Sequence, residues 1–67
     1  MSERATKPQI NYILILFNDL EYDTHHKQIQ FLRLELKRNN IYYIDEITKV
    51  EASIIITELK NIKARND

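Results

Sequence analysis

Thr6-Lys7-Pro8-Gln9-Ile10-Asn11-Tyr12-Ile13-Leu14-Ile15-Leu16-Phe17 is the stretch on which the fold turns. Its second half, Tyr12 to Phe17, is an unbroken apolar run, and such a run can be a buried strand. The first half argues otherwise. Thr6 can accept from the amide of Gln9 while the Gln9 side chain reaches back, the reciprocal pair of a capping box. Pro8 falls in the first turn, where a missing N–H does no harm. Ile10, Ile13, Leu14, Phe17 and Leu20 then recur at helical spacing and form one apolar arc. The pattern predicts a first helix over residues 7 to 20.

Further along, Glu21-Tyr22 reads as a connector, and Asp23 or Thr24 can cap a second helix. Ile29, Leu32 and Leu36 give that helix its arc, and Asn39-Asn40 marks its expected end. Ile41-Tyr42-Tyr43-Ile44 is β-branched and aromatic, too short for more than an extended connector or a lone strand. Thr48-Lys49-Val50-Glu51 is a second capping box. Ala52, Ile55, Leu59 and Ile62 form the stripe of a third helix, predicted over residues 49 to 63. Residues 1 to 5 and 64 to 67 are expected to fray. The fold class expected is all-α: one three-helix domain over residues 1–67, with a short extended connector before the last helix.

Composition agrees. The 67 residues contain no glycine and a single proline. Glycine supplies the positive backbone angles of tight hairpins, so its absence disfavours a hairpin-rich β fold and leaves asparagine to end helices. There is no cysteine, which excludes disulfides and thiolate metal sites. A domain this small has a thin core, and without such a staple it relies on good helix packing or on a second copy of itself. Ten basic and ten acidic residues cancel; a protein held to DNA by counterion release normally carries a basic excess. The polar start and the short apolar run contain neither a secretory signal nor a membrane span, so the expected location is the cytoplasm.

The helices own more apolar residues than one buried stripe needs. Tyr12 and Ile15 lie off the arc of the first helix. Phe31 and Leu34 lie nearly opposite Ile29, Leu32 and Leu36, and Val50 and Ile54 lie off the arc of the third. A helix apolar on two faces is either sandwiched or offers one face to a partner. Two readings follow. Either the connector from Ile41 to Ile47 folds over the surplus, with Tyr42, Tyr43 and Ile44 completing an ordinary core, or Tyr12, Ile15, Phe31, Leu34 and Ile54 form a docking surface for a protein partner or a homodimer.

Chemistry has little to stand on. His25 and His26 are adjacent, so on a helix they diverge by about 100° and do not share a metal. Asp19, Glu21 and Asp23, like Asp45 and Glu46, flank helix ends in polar stretches, where acidic side chains complement the dipole. Ser53 has no histidine at motif spacing, and without glycine there is no phosphate loop. No catalytic residue, metal site or cofactor is expected. The basic side chains of the second helix support a different alternative. Lys27, Arg33, Lys37 and Arg38 could track a phosphate backbone, with Tyr42 and Tyr43 stacking on unpaired bases. The competing reading is the solvated polar face of an amphipathic helix.

Two segments, Ala5-Thr6-Lys7-Pro8-Gln9-Ile10-Asn11-Tyr12-Ile13 and Ile44-Asp45-Glu46-Ile47-Thr48-Lys49-Val50-Glu51-Ala52-Ser53 with Leu59 and Lys60 beyond it, together resemble a small helical module of phage and prophage proteins. That module occurs alone or appended to recombination and replication proteins. The resemblance implies a phage or prophage origin and a link to DNA metabolism or to handling a host protein. It brings no catalytic residues. Leu14-Ile15-Leu16 and Ile54-Ile55-Ile56 are more apolar than the module's pattern and mark the expected interface. The function expected is therefore a non-catalytic adaptor or inhibitor that binds a host or phage protein through an apolar helical face, with a nucleic-acid-binding accessory module as the alternative.

Overall fold

The computed structural model describes residues 3 to 66. It is a three-helix domain: α1 (Lys7–Asp19), α2 (His25–Leu36) and α3 (Lys49–Asn66), with one 3-10 turn at Ile44–Glu46. Each start is built locally. The Thr6 hydroxyl accepts from the Gln9 amide at 3.2 Å, and the Gln9 side chain accepts from the Thr6 amide at 3.0 Å. Thr24, with extended backbone, accepts from the Lys27 amide and caps α2. At α3 the Thr48 hydroxyl accepts from the Glu51 amide and Glu51 Oε1 from the Thr48 amide. These bonds satisfy donors that helix starts leave unpaired.

The ends are closed without glycine. Glu21 adopts a φ of 67° beyond α1. Its amide then donates to Asn18 O and that of Tyr22 to Phe17 O, the paired bonds of a Schellman closure. The Phe17 and Tyr22 rings meet edge to face at 5.8 Å, the apolar contact that accompanies this closure. Lys37 does the same for α2 at φ 54°, and the Arg38 amide donates to Arg33 O. The expected end at Asn39-Asn40 is thus corrected: α2 stops at Leu36, and a lysine takes the left-handed position.

α1 and α3 run side by side in the same direction. Gln9 Nε2 donates to Lys49 O near their starts, and Lys63 Nζ donates to Asp19 Oδ2 at 2.8 Å near their ends. Two parallel helices need a return path, and α2 supplies it. It begins beside the Phe17–Tyr22 end of α1 and delivers Arg38 to Glu51 in the first turn of α3. The core between them consists of Ile13, Leu16 and Phe17 from α1, Ile29 and Leu32 from α2, Ile41 and Ile47 from the connector, and Ala52, Ile55 and Leu59 from α3. All three helices and the connector contribute to it.

Two more expectations change. Residues 3 to 5 do not fray: the Ala5 amide donates to Ile47 O, the Lys49 amide to Glu3 O, and Arg4 bridges Thr48. α3 runs on through Ala64, Arg65 and Asn66 instead of ending at 63. The frayed-end expectation for Met1, Ser2 and Asp67 lies outside the described residues. The connector divides its apolar side chains. Ile41 and Ile47 are fully buried and Ile44 is half-buried, whereas Tyr42 and Tyr43 point outward. It fills the core with isoleucines and does not cover the surplus with its tyrosines.

Candidate functional site

The side chains predicted as a docking surface have different fates. Leu34 is 74% exposed, Ile15 57%, Ile54 47% and Tyr12 40%, although the core is closed without them. Phe31 is half-buried. Its ring packs edge to face on Phe17 at 5.6 Å and tilts against Tyr22 at 5.4 Å. Phe31 is thus a core-edge residue in an aromatic triad, and truncating it would remove core packing as well as surface.

The exposed members do not converge on one patch. Tyr12 and Ile15 lie three residues apart on α1 and line a groove of about 340 Å³ between α1 and α3, with Leu16 as floor and Lys60, Lys63 and Ala64 as the opposite wall. The Asp19–Lys63 pair lies at its end. Ile54 borders a separate shallow depression with Ser53, Thr57 and Glu58. Leu34 sits between two clefts on the outer surface of α2. The α1–α3 groove brings together the predicted contacts Tyr12 and Ile15, and one of the α2 clefts brings together Phe31 and Leu34, of which Phe31 is half-buried in the aromatic triad.

The basic side chains of α2 are drawn into internal contacts. Lys27 Nζ lies 3.5 Å from Asp23 Oδ1, both well exposed. Arg38 Nη1 sits astride both carboxylate oxygens of Glu51, 2.5 and 2.6 Å away. Partial burial works to raise the Glu51 pKa, but the hydrogen bond from Arg38, those from Thr48 and the Arg38 charge outweigh it and hold the carboxyl below its ordinary value. Arg33 Nε donates to Ile41 O at 2.8 Å, and its guanidinium lies 5.1 Å from the centre of the Tyr42 ring. Lys37 is exposed at the left-handed helix end. A phosphate track needs several cations with free donors in a row, and this arrangement spends most of them on the fold.

Several acidic side chains are likewise engaged. Glu46 Oε1 accepts from the amides of Tyr42 and Tyr43 at 3.2 and 2.8 Å, tying the connector into its turn. Lys49 pairs with Glu3, whose carboxyl is lowered by that hydrogen bond and charge at a fully solvated position. His25 Nε2 lies 2.9 Å from Tyr42 O, where the ring nitrogen acts as donor, and the His25 ring tilts against that of Tyr43. Among the described residues, no group of three or more His, Asp and Glu side chains gathers as a metal site would require. No described helix is long and apolar enough to cross a membrane.

One feature was not visible in the sequence: α2 straps the connector. His25 and Arg33 lie eight residues apart on α2 and bind the carbonyls of consecutive connector residues, Tyr42 and Ile41. The available signal was a basic and aromatic pairing, since Arg33 and Tyr42 both stood among the predicted nucleic-acid contacts. Their mutual contact depends on the fold of the connector. No protein-family model, curated protein or solved structure matches the chain.

Proposed function

We propose that this chain is a non-catalytic protein-binding domain, an adaptor or inhibitor of the phage or prophage kind, that docks a host or phage protein of DNA metabolism through the α1–α3 groove. One observation supports the reading: Tyr12 and Ile15 stand out from a core that is already closed by Ile13, Leu16 and Phe17 on the same helix. Exposed apolar side chains beside a groove are the usual anchors of a protein interface, and aromatic ones carry a disproportionate share of its energy. The origin and the class of target come from the resemblance of the two helix starts. A second copy of the chain is the other occupant consistent with the same surface.

The test uses the double variant Tyr12→Ala, Ile15→Ala. Truncating anchors at an interface centre commonly costs about 2 kcal/mol or more. The wild-type chain is expected to retain a discrete partner from nuclease-treated host lysate, or to dimerise by light scattering. The double variant is expected to lose that interaction with an unchanged helical circular dichroism signal. Phe31→Ala is the contrasting variant, expected to lower the melting temperature because its ring belongs to the triad. Retention that survives the double substitution, or that disappears with nuclease treatment, would sink the reading.

A further inference from the structure

A cleft of about 460 Å³ opens where α2 meets the connector, and its walls include His26, Gln30, Arg33, Leu34, Asn39 and Tyr42. Arg33 is its most constrained member. Its Nε is bound to the Ile41 carbonyl and its guanidinium is stacked over the Tyr42 ring. A guanidinium has two edges that can take an anion in a fork, one through Nε and the other through the two terminal nitrogens. The carbonyl occupies the first edge. Among the described residues no carboxylate lies within ion-pair distance of Arg33, although Lys27, Arg38, Lys49 and Lys63 each have one. A half-buried, oriented and uncompensated guanidinium is thus held in a cleft whose remaining walls combine amide and imidazole groups with the apolar Leu34 side chain.

We propose that this cleft binds a carboxylate of an acidic peptide segment, an Asp or Glu flanked by an apolar residue, with the carboxylate on the free edge of Arg33 and the apolar neighbour against Leu34. Holding the guanidinium beforehand matters because it lowers the entropy lost on binding. The alternative source of an anion is a nucleic-acid backbone. A run of phosphates would need several neighbouring free cations; Lys27 and Arg38 are already paired with carboxylates, which leaves the exposed Lys37 alone among the other basic side chains predicted along α2. One prepared charge beside an apolar wall suits a single carboxylate. The inference extends the protein-binding reading to a second surface, and it does not depend on Tyr12 or Ile15.

The probe is an acetylated, amidated Leu-Glu-Leu peptide titrated into the full chain and followed by the Arg33 Nε–H and Tyr42 ring resonances. Saturable shifts at both are expected in the millimolar range. A Leu-Gln-Leu peptide should bind roughly tenfold more weakly, since it loses a charge-assisted bond. The Tyr12→Ala, Ile15→Ala variant should bind the Glu peptide as the wild type does, which separates this inference from the groove reading. Arg33→Gln should abolish the shifts at Tyr42. If that variant fails to fold, the Glu-against-Gln comparison on the unaltered protein decides alone. Equal binding of the two peptides, absence of saturation, or tighter saturation of the same resonances by an oligothymidylate or inorganic phosphate would overturn the assignment.

Discussion

Lys37 stands at φ 54° and ψ 41°, a conformation that brings its Cβ close to the following carbonyl. It closes α2 there because the next residues must turn at once, Arg38 toward Glu51 and Ile41 into the core. Glycine has no such steric cost, though it gains more freedom in the unfolded chain. Lys37→Gly is expected to raise the unfolding free energy by about 0.5–1 kcal/mol in a urea titration. A loss of stability would show that the lysine side chain makes a contact that outweighs its backbone strain. Phe31 and Leu34 teach a second lesson at this scale. They lie three residues apart on α2, yet one joins an aromatic triad and the other is the most exposed large apolar side chain described.

At the scale of the element, the start of α3 is where local and long-range bonds meet. Glu51 completes the capping box with Thr48 and takes the Arg38 guanidinium at the same time, so one carboxylate fixes a helix start and pins the end of α2. Its pKa is lowered in the fold, so the charged form carries the stabilisation. That contribution is complete above the ordinary value of 4.5 and is lost as pH falls through the lower folded value. Glu51→Gln keeps the amide acceptor for the box but loses the charge. We expect it to cost about 1 kcal/mol at neutral pH. The gap between the two melting temperatures should close as pH drops below the carboxylate range. A gap that persists in acid would place the effect in packing instead of charge. The connector is the element least legible beforehand. Ile41-Tyr42-Tyr43-Ile44 reads as an extended piece, but its inward and outward sides are set by the space between α2 and α3 and by the bonds from His25 and Arg33.

For the whole molecule, the parallel pairing of α1 with α3 makes the first and second halves of the chain mutually dependent. Five of the core side chains, Ile41, Ile47, Ala52, Ile55 and Leu59, follow Asn40 in sequence. α1 has 13 residues and α2 has 12, lengths that are marginal for isolated helices in water. A chain ending at Asn40 is therefore expected to lose most of its helical signal at 222 nm, not just the share belonging to α3. Persistence of α1 and α2 in that fragment would show that the first half carries its own core. The same dependence explains the pinned N-terminal segment. Glu3, Arg4 and Ala5 meet Ile47, Thr48 and Lys49 because α1 and α3 begin side by side.

Read alone, the amino-acid order determined that there are three helices, where each begins and most of the stripe each one buries, although on α1 it placed Leu14 inside where the structure buries Leu16, and on α3 it placed Ile62 in the core, which closes without it. Those features come from contacts three or four residues apart: Thr6 with Gln9, Thr24 with Lys27, Thr48 with Glu51, and the apolar periodicity around Ile13, Ile29 and Ile55. Only the tertiary structure decided that α2 ends at Leu36, that Phe31 turns inward while Leu34 does not, and that Arg33 is clasped by the connector with one edge left over. Each of these depends on side chains far along the chain, whose positions exist only once α1 and α3 have paired. The surplus apolar residues were visible from the start. Their division among separate surfaces was not, because a helical wheel gives the direction of a side chain and not the neighbour it will meet.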